Sequence, residues 1–217
     1  MSDPANVFRY DVSDLFGRFD PDNKLLPYFE LLLQENSRLN LVSRETARTV
    51  ESAGSVAERF PGLARLAVES LIPLQSVPPR PYKNYLDIGS GGGFPSLPIL
   101  LTQDIDQVRL VERTLKKAAA LGRMLPGLNR SARIESTDFR EIKFESARFD
   151  LITMRLVRLE LPLLKKIARL LTDDGLFVYY SRRELNISDT KLTANTSFYA
   201  PIESSEIHAC TLFTKKL

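Results

Sequence analysis

The first third of the chain has apolar residues at helical spacing. In residues 24–40 the leucines and phenylalanine at positions 25, 26, 29, 32, 33 and 39 recur every three or four residues, which predicts a helix. Ser43 precedes a polar stretch and predicts the N-cap of a second helix, and a third is predicted over residues 62–74. A proline-rich connector, residues 75–81, follows. The pattern predicts a helical cap.

After the connector the pattern changes to short apolar strands alternating with helices. The predicted strands cover residues 85–89, 107–112, 132–135, 149–154, 175–181 and 207–214. The predicted helices cover residues 95–101, 114–124 and 160–171. This alternation predicts an α/β fold with a doubly wound, mostly parallel sheet covered on both faces. Such a sheet binds its ligand at the carboxyl ends of the strands, where the strand order reverses.

Composition restricts the class of protein. With 217 residues, 43% of them hydrophobic, the chain can bury one sizeable core. We therefore expect one main domain over residues 81–217, with the cap over residues 1–80 packed on it. The single cysteine, Cys210, excludes a disulfide framework and fits a reducing cytoplasm.

The sequence gives no sign of membrane targeting. The N-terminus lacks the basic head and apolar core of a signal peptide, and no apolar run approaches the roughly 20 residues that span a bilayer. We expect a soluble, cytoplasmic protein with no membrane partner. A net charge of +3 permits nucleic-acid binding without requiring it, because phosphate contacts depend on local clusters of basic residues.

A glycine-rich segment follows the first strand of the main domain and opens a helix. It reads Asp87-Ile-Gly89-Ser-Gly91-Gly-Gly93-Phe94-Pro95. The dinucleotide pattern G-x-G-x-x-G requires glycine where Phe94 stands, which argues against a nicotinamide dehydrogenase. A pyrophosphate would be repelled by Asp87, whereas the ammonium and sulfonium of S-adenosylmethionine would be attracted, directly or through water. The alternative interpretation is a plain tight turn.

Two further acidic residues lie at or just after the ends of the next two predicted strands, at the same end of the sheet as this loop. Glu112 lies at the tip of the next strand, where a carboxylate can accept two hydrogen bonds from a ribose diol, although it could also be a solvated strand end. Asp138 and Phe139 follow the third strand, where an acid and an apolar residue can hold the amino group and ring face of adenine. Together these positions predict a class I (Rossmann-like) S-adenosylmethionine methyltransferase fold with a seven-stranded sheet.

Several short motifs carry a resemblance to a known family. They are Asn40-Leu-Val-Ser-Arg44, Arg65-Leu-Ala-Val-Glu69-Ser70-Leu71, the segment 87–98 with prolines at 95 and 98, Lys116-Lys117, and Phe149-Asp-Leu-Ile-Thr-Met-Arg155. From about residue 26 to 183 the chain resembles the small-subunit (16S) ribosomal RNA guanine-N7 methyltransferases, also called glucose-inhibited division protein B. The resemblance implies S-adenosylmethionine as cofactor and 16S rRNA or the small ribosomal subunit as partner. We expect a monomer.

The chain departs from the family pattern where such enzymes handle RNA and cofactor. The departures are Leu66 for histidine, Glu69 for aspartate, Thr137 for arginine, Thr153-Met154 before Arg155, and Arg182 for lysine. They leave two alternatives open. One is a degenerate member that binds RNA or a partner without turnover. The other is a methyltransferase that acts on a small molecule, a protein or a different RNA.

The expected reaction depends on the alignment of guanine N7 with the methyl group rather than on proton transfer. Guanine N7 offers a free lone pair and carries no proton, so no general base is needed and no catalytic residue is assigned. Arg155 is expected to face the cleft and to position cofactor or phosphate, with a surface salt bridge as the alternative. Phe94 either stacks a base or packs behind the loop. The predicted cofactor-binding residues are Asp87, Gly89, Gly91, Gly93, Phe94, Glu112, Asp138, Phe139 and Arg155.

RNA binding is expected from basic residues around the cleft, because the loops that follow parallel strands share one face of the sheet. The predicted residues are Arg44, Lys116, Lys117 and Arg182, with Arg155, Arg158 and Arg183 as further candidates. Lys165, Lys166 and Arg169 are predicted to form a solvated helical face. The lone histidine, His208, is expected on a late strand with a structural role, and the absence of a Cys/His cluster predicts no metal.

Overall fold

The computed structural model describes residues 6–183, 185 and 191–216. Its strands are β1 (Val7–Tyr10), β2 (Tyr82–Ile88), β3 (Ile105–Val111), β4 (Arg133–Glu135), β5 (Phe149–Arg155), β6 (Leu171–Ser181), β7 (Leu192–Pro201) and β8 (His208–Lys215). Its α-helices are α1 (Val12–Phe19), α2 (Leu26–Asn36), α3 (Val56–Arg59), α4 (Pro61–Leu71), α5 (Ser96–Thr102), α6 (Leu115–Gly127) and α7 (Leu161–Leu170). A short 3₁₀ helix, Ile72–Ser76, follows α4.

All of these strands form one sheet, in the order β1-β7-β8-β6-β5-β2-β3-β4. Strand β8 runs antiparallel to β6 and β7, and every other neighbouring pair is parallel. The chain leaves β2 toward β3 and β4 and then returns to place β5 on the other side of β2. The strand order therefore reverses between β2 and β5, and the predicted doubly wound, mostly parallel sheet is confirmed.

The predicted number of seven strands is wrong, because the described residues form eight. Two of the eight, β1 and β7, lie outside the six ranges predicted as strands, and they pair in parallel with each other, with Val7 of the edge strand β1 opposite Phe198. Only the last residue of β1, Tyr10, is buried. A four-residue edge strand has no apolar alternation to show, and its partner lies near the other end of the chain, so no local signal predicts it.

The central strands are buried on both faces, as their continuous apolar runs predict. In β5, Leu151, Ile152 and Met154 have no exposed surface. In β2, Tyr85 and Leu86 are equally buried. The two strands are in register over four residue pairs, so their carboxyl ends lie side by side.

The helices of the first 80 residues share a continuous core with the sheet. Tyr28 and Phe29 of α2 are fully buried, and the Tyr28 hydroxyl donates a hydrogen bond to the Gly92 carbonyl at 3.0 Å. Arg123 of α6 binds both carboxylate oxygens of Glu35 in α2, at 2.9 and 2.6 Å. The cap is thus fixed to the main sheet by apolar packing and by an ion pair, while the division at residue 80 stays a prediction.

The helix predicted over residues 24–40 is shorter in the structure and ends at Asn36. The side-chain oxygen of Asn36 accepts hydrogen bonds from the backbone N–H groups of Leu41 and Val42, at 2.8 and 3.0 Å. This side chain competes with the helix for the following backbone and turns the chain away. The apolar Leu39, which extended the helical pattern, lies beyond that turn.

The helix predicted to start at Ser43 does not form, and this prediction is wrong. Ser43 does accept a hydrogen bond from the Thr46 backbone N–H at 3.1 Å, but only a turn follows. The segment is polar and has little apolar surface to bury, so a helix there would gain too little from packing. The third predicted helix is present as α4 and continues as the 3₁₀ helix, where Pro73 has no backbone N–H to donate. Among the described residues, no helix has both the length and the apolar character needed to cross a membrane.

The cluster of aromatic rings within the cap, which belongs to the core that the cap shares with the sheet, gives a test of this packing. Phe29 packs against Phe16, Tyr28 and Phe60 with ring centroids 5.7–5.9 Å apart. We expect Phe29→Ala to lower the free energy of unfolding by about 3–5 kcal/mol, because a buried cavity replaces the ring. Urea denaturation followed by circular dichroism measures the change. Phe8→Ala, at the half-exposed edge strand, is the matched control and should cost less than about 1 kcal/mol. Equal losses would contradict the shared core.

Candidate functional site

A cleft of about 1640 Å³ lies at the carboxyl ends of the parallel strands. The loops after β2, β3, β4 and β5 line it, and α4 contributes side chains from the cap. Because the strand order reverses between β2 and β5, the cleft lies where doubly wound sheets bind their ligands. The sequence predicted a ligand site at this position.

The glycine loop forms the floor of the cleft between β2 and β5. Gly89 has a φ of +81°, and a Cβ placed on it would lie 2.5 Å from Cγ2 of Val157. The Gly89 and Ser90 N–H groups both donate to the Val111 carbonyl, at 2.8 and 3.1 Å, which ties the loop to β3. Gly89, Gly91 and Gly92 line the cleft. The loop therefore presents bare backbone to a ligand, which a plain surface turn does not.

Of the other two predicted loop residues, Phe94 lines the cleft and Gly93 lies outside the lining. Gly93 has a φ of +101°, and a Cβ there would lie 2.8 Å from Cδ1 of Leu97. The Phe94 ring packs against Tyr28 with centroids 5.3 Å apart and is nine-tenths buried. Of the two interpretations of Phe94, this geometry favours packing behind the loop over stacking on a base.

Asp87 lies fully buried beneath the loop. Its Oδ1 accepts a hydrogen bond from the Thr153 hydroxyl at 2.6 Å, and its Oδ2 has no partner among the described residues. Burial raises the pKa of this carboxyl to about 6. A buried acceptor without a donor is costly, so the site fits a ligand that brings a positive charge or a hydrogen-bond donor toward the loop.

Glu112 lies at the end of β3 and joins the glycine loop to α6. Its two carboxylate oxygens accept hydrogen bonds from the N–H groups of Gly91, at 2.9 Å, and Thr114, at 2.8 Å. The side chain is buried and lines the cleft, so the alternative of a solvated strand end is wrong. Each oxygen retains a lone pair, and the carboxylate can accept further hydrogen bonds from a diol.

The loop after β4 places Asp138 and Phe139 in the cleft lining. Arg140 donates to both oxygens of Asp138, at 3.0 and 2.8 Å, and these hydrogen bonds lower the pKa of Asp138 to about 2. The ring of Phe139 is buried and packs against Phe144, with centroids 5.6 Å apart. The carboxylate is therefore ionised and held in one direction.

Lys166 holds this loop from below. Its ammonium donates to the carbonyl oxygens of Phe139, Arg140 and Ile142, at 2.6, 3.0 and 2.8 Å. The prediction that Lys166 belongs to a solvated helical face is wrong, because those carbonyls, which no helix or strand satisfies, draw the side chain inward. Its neighbours Lys165 and Arg169 are exposed, as predicted.

Arg155 ends β5 and takes part in an ionic network around the buried carboxylate of Glu69. Its Nη2 donates to Glu69 at 2.6 Å, and its Nη1 has no partner among the described residues. Glu69 also accepts from Nε of Arg65 at 2.9 Å, and Arg65 lies 2.8 Å from Nε2 of His208. The alternative of a surface salt bridge is wrong, because Glu69 is 1% exposed. Arg155 lines the cleft, as expected.

His208 begins β8 and was predicted to be structural. It stacks on Tyr199, with centroids 5.9 Å apart, and burial lowers its pKa. Neutral imidazole fits a position beside the two arginines of the network. Within residues 6–183, 185 and 191–216, no group of three or more His, Cys, Asp or Glu side chains is placed to hold a metal ion.

The predicted basic residues are distributed unevenly around the cleft. Lys117 and Arg182 line it, and Arg182 is exposed and 3.4 Å from Glu206. Arg44 and Lys116 are exposed but lie outside the lining. Sequence reasoning assigned no site role to three lining arginines, which are Arg65, Arg113 and Arg140. A signal existed for Arg113 and Arg140, since each directly follows a predicted cofactor residue.

Comparisons with known proteins agree with this geometry. The family model described as GidB, rRNA small subunit methyltransferase G, matches residues 22–211. The chain belongs to the rRNA small subunit methyltransferase G family. The ribosomal RNA small subunit methyltransferase G of Helicobacter acinonychis is 31% identical over 80% of this chain and 97% of the relative. That of Bartonella quintana is 29% identical over 81% of this chain and 77% of the relative.

Solved structures similar to this family member share its fold. A putative O-methyltransferase from Klebsiella pneumoniae aligns with a TM-score of 0.55 at 15% identity, over 88% of this chain and 90% of that chain. The T. thermophilus 16S rRNA N2 methyltransferase RsmC, in complex with AdoMet and guanosine, aligns with a TM-score of 0.52 at 22% identity, over 77% of this chain and 45% of that chain. The family resemblance and the class I methyltransferase fold predicted from the sequence are confirmed.

The buried carboxyl of Asp87 predicts a pH dependence of stability. Because its pKa is raised in the folded state, the folded protein binds this proton more tightly than the unfolded chain does. Stability without cofactor should fall by up to about 3 kcal/mol as the pH rises from about 3 to about 7. Asp87→Asn carries no charge, so this decline should be absent from its urea denaturation curves. Asp22→Asn, at an exposed carboxylate, should decline as the wild type does. Parallel curves for Asp87→Asn and wild type would contradict the assignment.

Proposed function

We propose that this protein transfers a methyl group from S-adenosylmethionine to N7 of a guanine in 16S ribosomal RNA. The observation that carries the proposal is the glycine loop lying over a buried carboxylate with an unpaired oxygen, at the point where the strand order reverses. That arrangement favours a cationic ligand over a diphosphate. Family membership supports the choice of a small-subunit rRNA as acceptor.

The residues that would hold the cofactor follow β2, β3 and β4 in turn. Gly89 and Gly91 would let the cofactor approach the backbone of the loop closely. Asp87, beneath the loop, would attract the ammonium group of the cofactor directly or through a water molecule. Glu112 would accept hydrogen bonds from the ribose hydroxyls with the lone pairs that Gly91 and Thr114 leave free. Asp138 and Phe139 would contact adenine, and Arg140 would keep the carboxylate directed.

The reaction needs little chemistry from side chains. When bound, the cofactor supplies an electrophilic methyl group, so that the N7 lone pair forms the new bond while the carbon–sulfur pair remains on sulfur and the guanine becomes cationic. The protein aligns the two reactants and excludes water. The ionic pairing of Arg155 with Glu69 reduces the positive charge that the product base would meet.

The acceptor RNA would be held by the basic residues of the cleft and its surroundings. Arg113, Arg158 and Arg182 lie in the lining on exposed loops, and Arg44 and Lys116 extend the positive surface beyond it. Such contacts bind phosphates without reading sequence, and their affinity falls with salt. We propose a monomer acting on the small subunit or its rRNA, without a metal.

Methyl transfer to small subunits lacking the modification tests the proposal directly. With labelled S-adenosylmethionine at saturating concentration, we expect label in one guanine, located by N7-sensitive strand cleavage. Raised salt should reduce the rate, because RNA binding depends on phosphate contacts. Label in RNA at another atom would support another methyltransferase specificity. No label, despite binding of the cofactor, would support the degenerate member and defeat the proposal.

The glycine loop gives a test of the cofactor site that does not need RNA. Gly89→Ala places a Cβ 2.5 Å from Val157 and forces a φ of +81° on alanine. We expect the Kd for S-adenosylhomocysteine, measured by calorimetry, to rise at least about tenfold, as a cost of 1.4 kcal/mol would produce. Gly17→Ala in α1 meets open space and is the matched control. An unchanged Kd for Gly89→Ala would place the cofactor elsewhere.

A further inference from the structure

Leu156, the residue directly after β5, has two unusual properties. Its φ is +58°, in the left-handed region that leucine rarely adopts. Its side chain is 89% exposed, although it lines the cleft. Asparagine and aspartate can relieve this backbone conformation with a local hydrogen bond, whereas leucine has no group that can do so. Backbone strain at a cleft commonly marks a functional residue.

The position of Leu156 relative to the strand reversal indicates which part of the cleft this strained residue faces. The residues proposed to hold the cofactor follow β2, β3 and β4, all on one side of the reversal. Leu156 follows β5, on the other side, and its neighbour Val157 lies against Gly89 of the loop. Leu156 therefore stands at the border between the cofactor half of the cleft and the half left for the acceptor.

The acceptor half is lined by charged side chains and by tyrosine rings, which include Arg155, Arg158, Arg182, Tyr179, Tyr180 and Tyr199. The charged groups suit phosphates and polar edges. The three tyrosine rings are at most 9% exposed, so almost no ring surface is free to contact a base. Of the large hydrophobic residues that are exposed in the described part of the chain, Leu156 is the one that lines the cleft.

We propose that Leu156 packs on the face of the target guanine and positions its N7 against the cofactor. The inference rests on the proposed function and adds a base-positioning residue to it. Apolar contact with a purine face buries the exposed side chain when substrate is bound. Such a contact also adds no positive charge beside a base that becomes cationic on methylation, as a further arginine would.

Leu156→Asn separates the side chain from the backbone conformation. Asparagine tolerates the left-handed region but offers no comparable apolar surface. We expect kcat/KM for small subunits lacking the modification to fall at least about fivefold, which is the lower end of what a lost contact between a ring and a base costs. The Kd for S-adenosylhomocysteine and the Tm should stay at wild-type values. Leu156→Met, which restores an apolar side chain, should recover most of the activity.

Ile202→Asn is the matched control, because Ile202 is 63% exposed just after β7 and lies outside the cleft lining. It should keep wild-type kcat/KM. Wild-type kcat/KM in Leu156→Asn would overturn the role of Leu156 while leaving the proposed function intact. A parallel loss of S-adenosylhomocysteine binding would assign Leu156 to the cofactor instead and would also overturn the inference. Failure of the wild-type protein to methylate RNA would overturn the proposed function and this inference together.

Discussion

A buried hydrogen bond from the Thr153 hydroxyl to the Asp87 carboxylate joins the two strands between which the strand order reverses. The Tyr85 hydroxyl lies 2.7 Å from the same Thr153 oxygen and extends the contact into the core. Because β2 and β5 are held side by side here, their carboxyl ends open a single crevice. The cleft depends on this contact, since the glycine loop leaves β2 immediately above it. The other carboxylate oxygen of Asp87, directly under the loop, has no hydrogen-bond donor among the described residues.

The charged residues around the cleft divide into those held by partners and those left for solvent. The buried carboxylate of Glu69 binds Arg65 and Arg155, and this network, which also includes His208, fixes the orientation of Arg155. A buried charge must be paired, so the main role of these contacts is to stabilise the fold around Glu69. On the exposed loops, Arg158 and Arg182 form long ion pairs, of 3.4 Å each, with Glu160 and Glu206. Exposed pairs of this kind are weak, and phosphates can displace them.

Apolar packing explains why the cap and the sheet behave as one structure. The rings of α2 lie over the glycine loop, and the Tyr28 hydroxyl binds the Gly92 carbonyl. Phe94, whose place in the sequence excludes a dinucleotide loop, is the ring on which Tyr28 packs. The residue that distinguishes the loop chemically therefore also anchors the cap, and loop geometry and cap packing depend on each other.

The sequence alone predicts the alternation of strands and helices, the glycine loop and the acidic residues at the strand ends. Each of these is a local pattern with a local physical cause. The family resemblance followed from the same short motifs. The edge strand β1 was not readable, since its partner β7 lies at the other end of the chain. The end of α2 at Asn36 depends on a side chain that competes with the helix for the following backbone. The helix after Ser43 is missing because the polar segment has little apolar surface to pack against the fold.

The sequence by itself determined the fold class, the family and the end of the sheet at which the candidate cleft lies. Only the tertiary structure decided what each charged side chain faces: that Lys166 turns inward, that Arg155 is paired with Glu69, and that Leu156 stands exposed in the cleft. The reason is physical. Periodicity and turn chemistry act over a few neighbouring residues, whereas the partner and the solvation of a charge depend on which distant strands and loops the fold brings beside it.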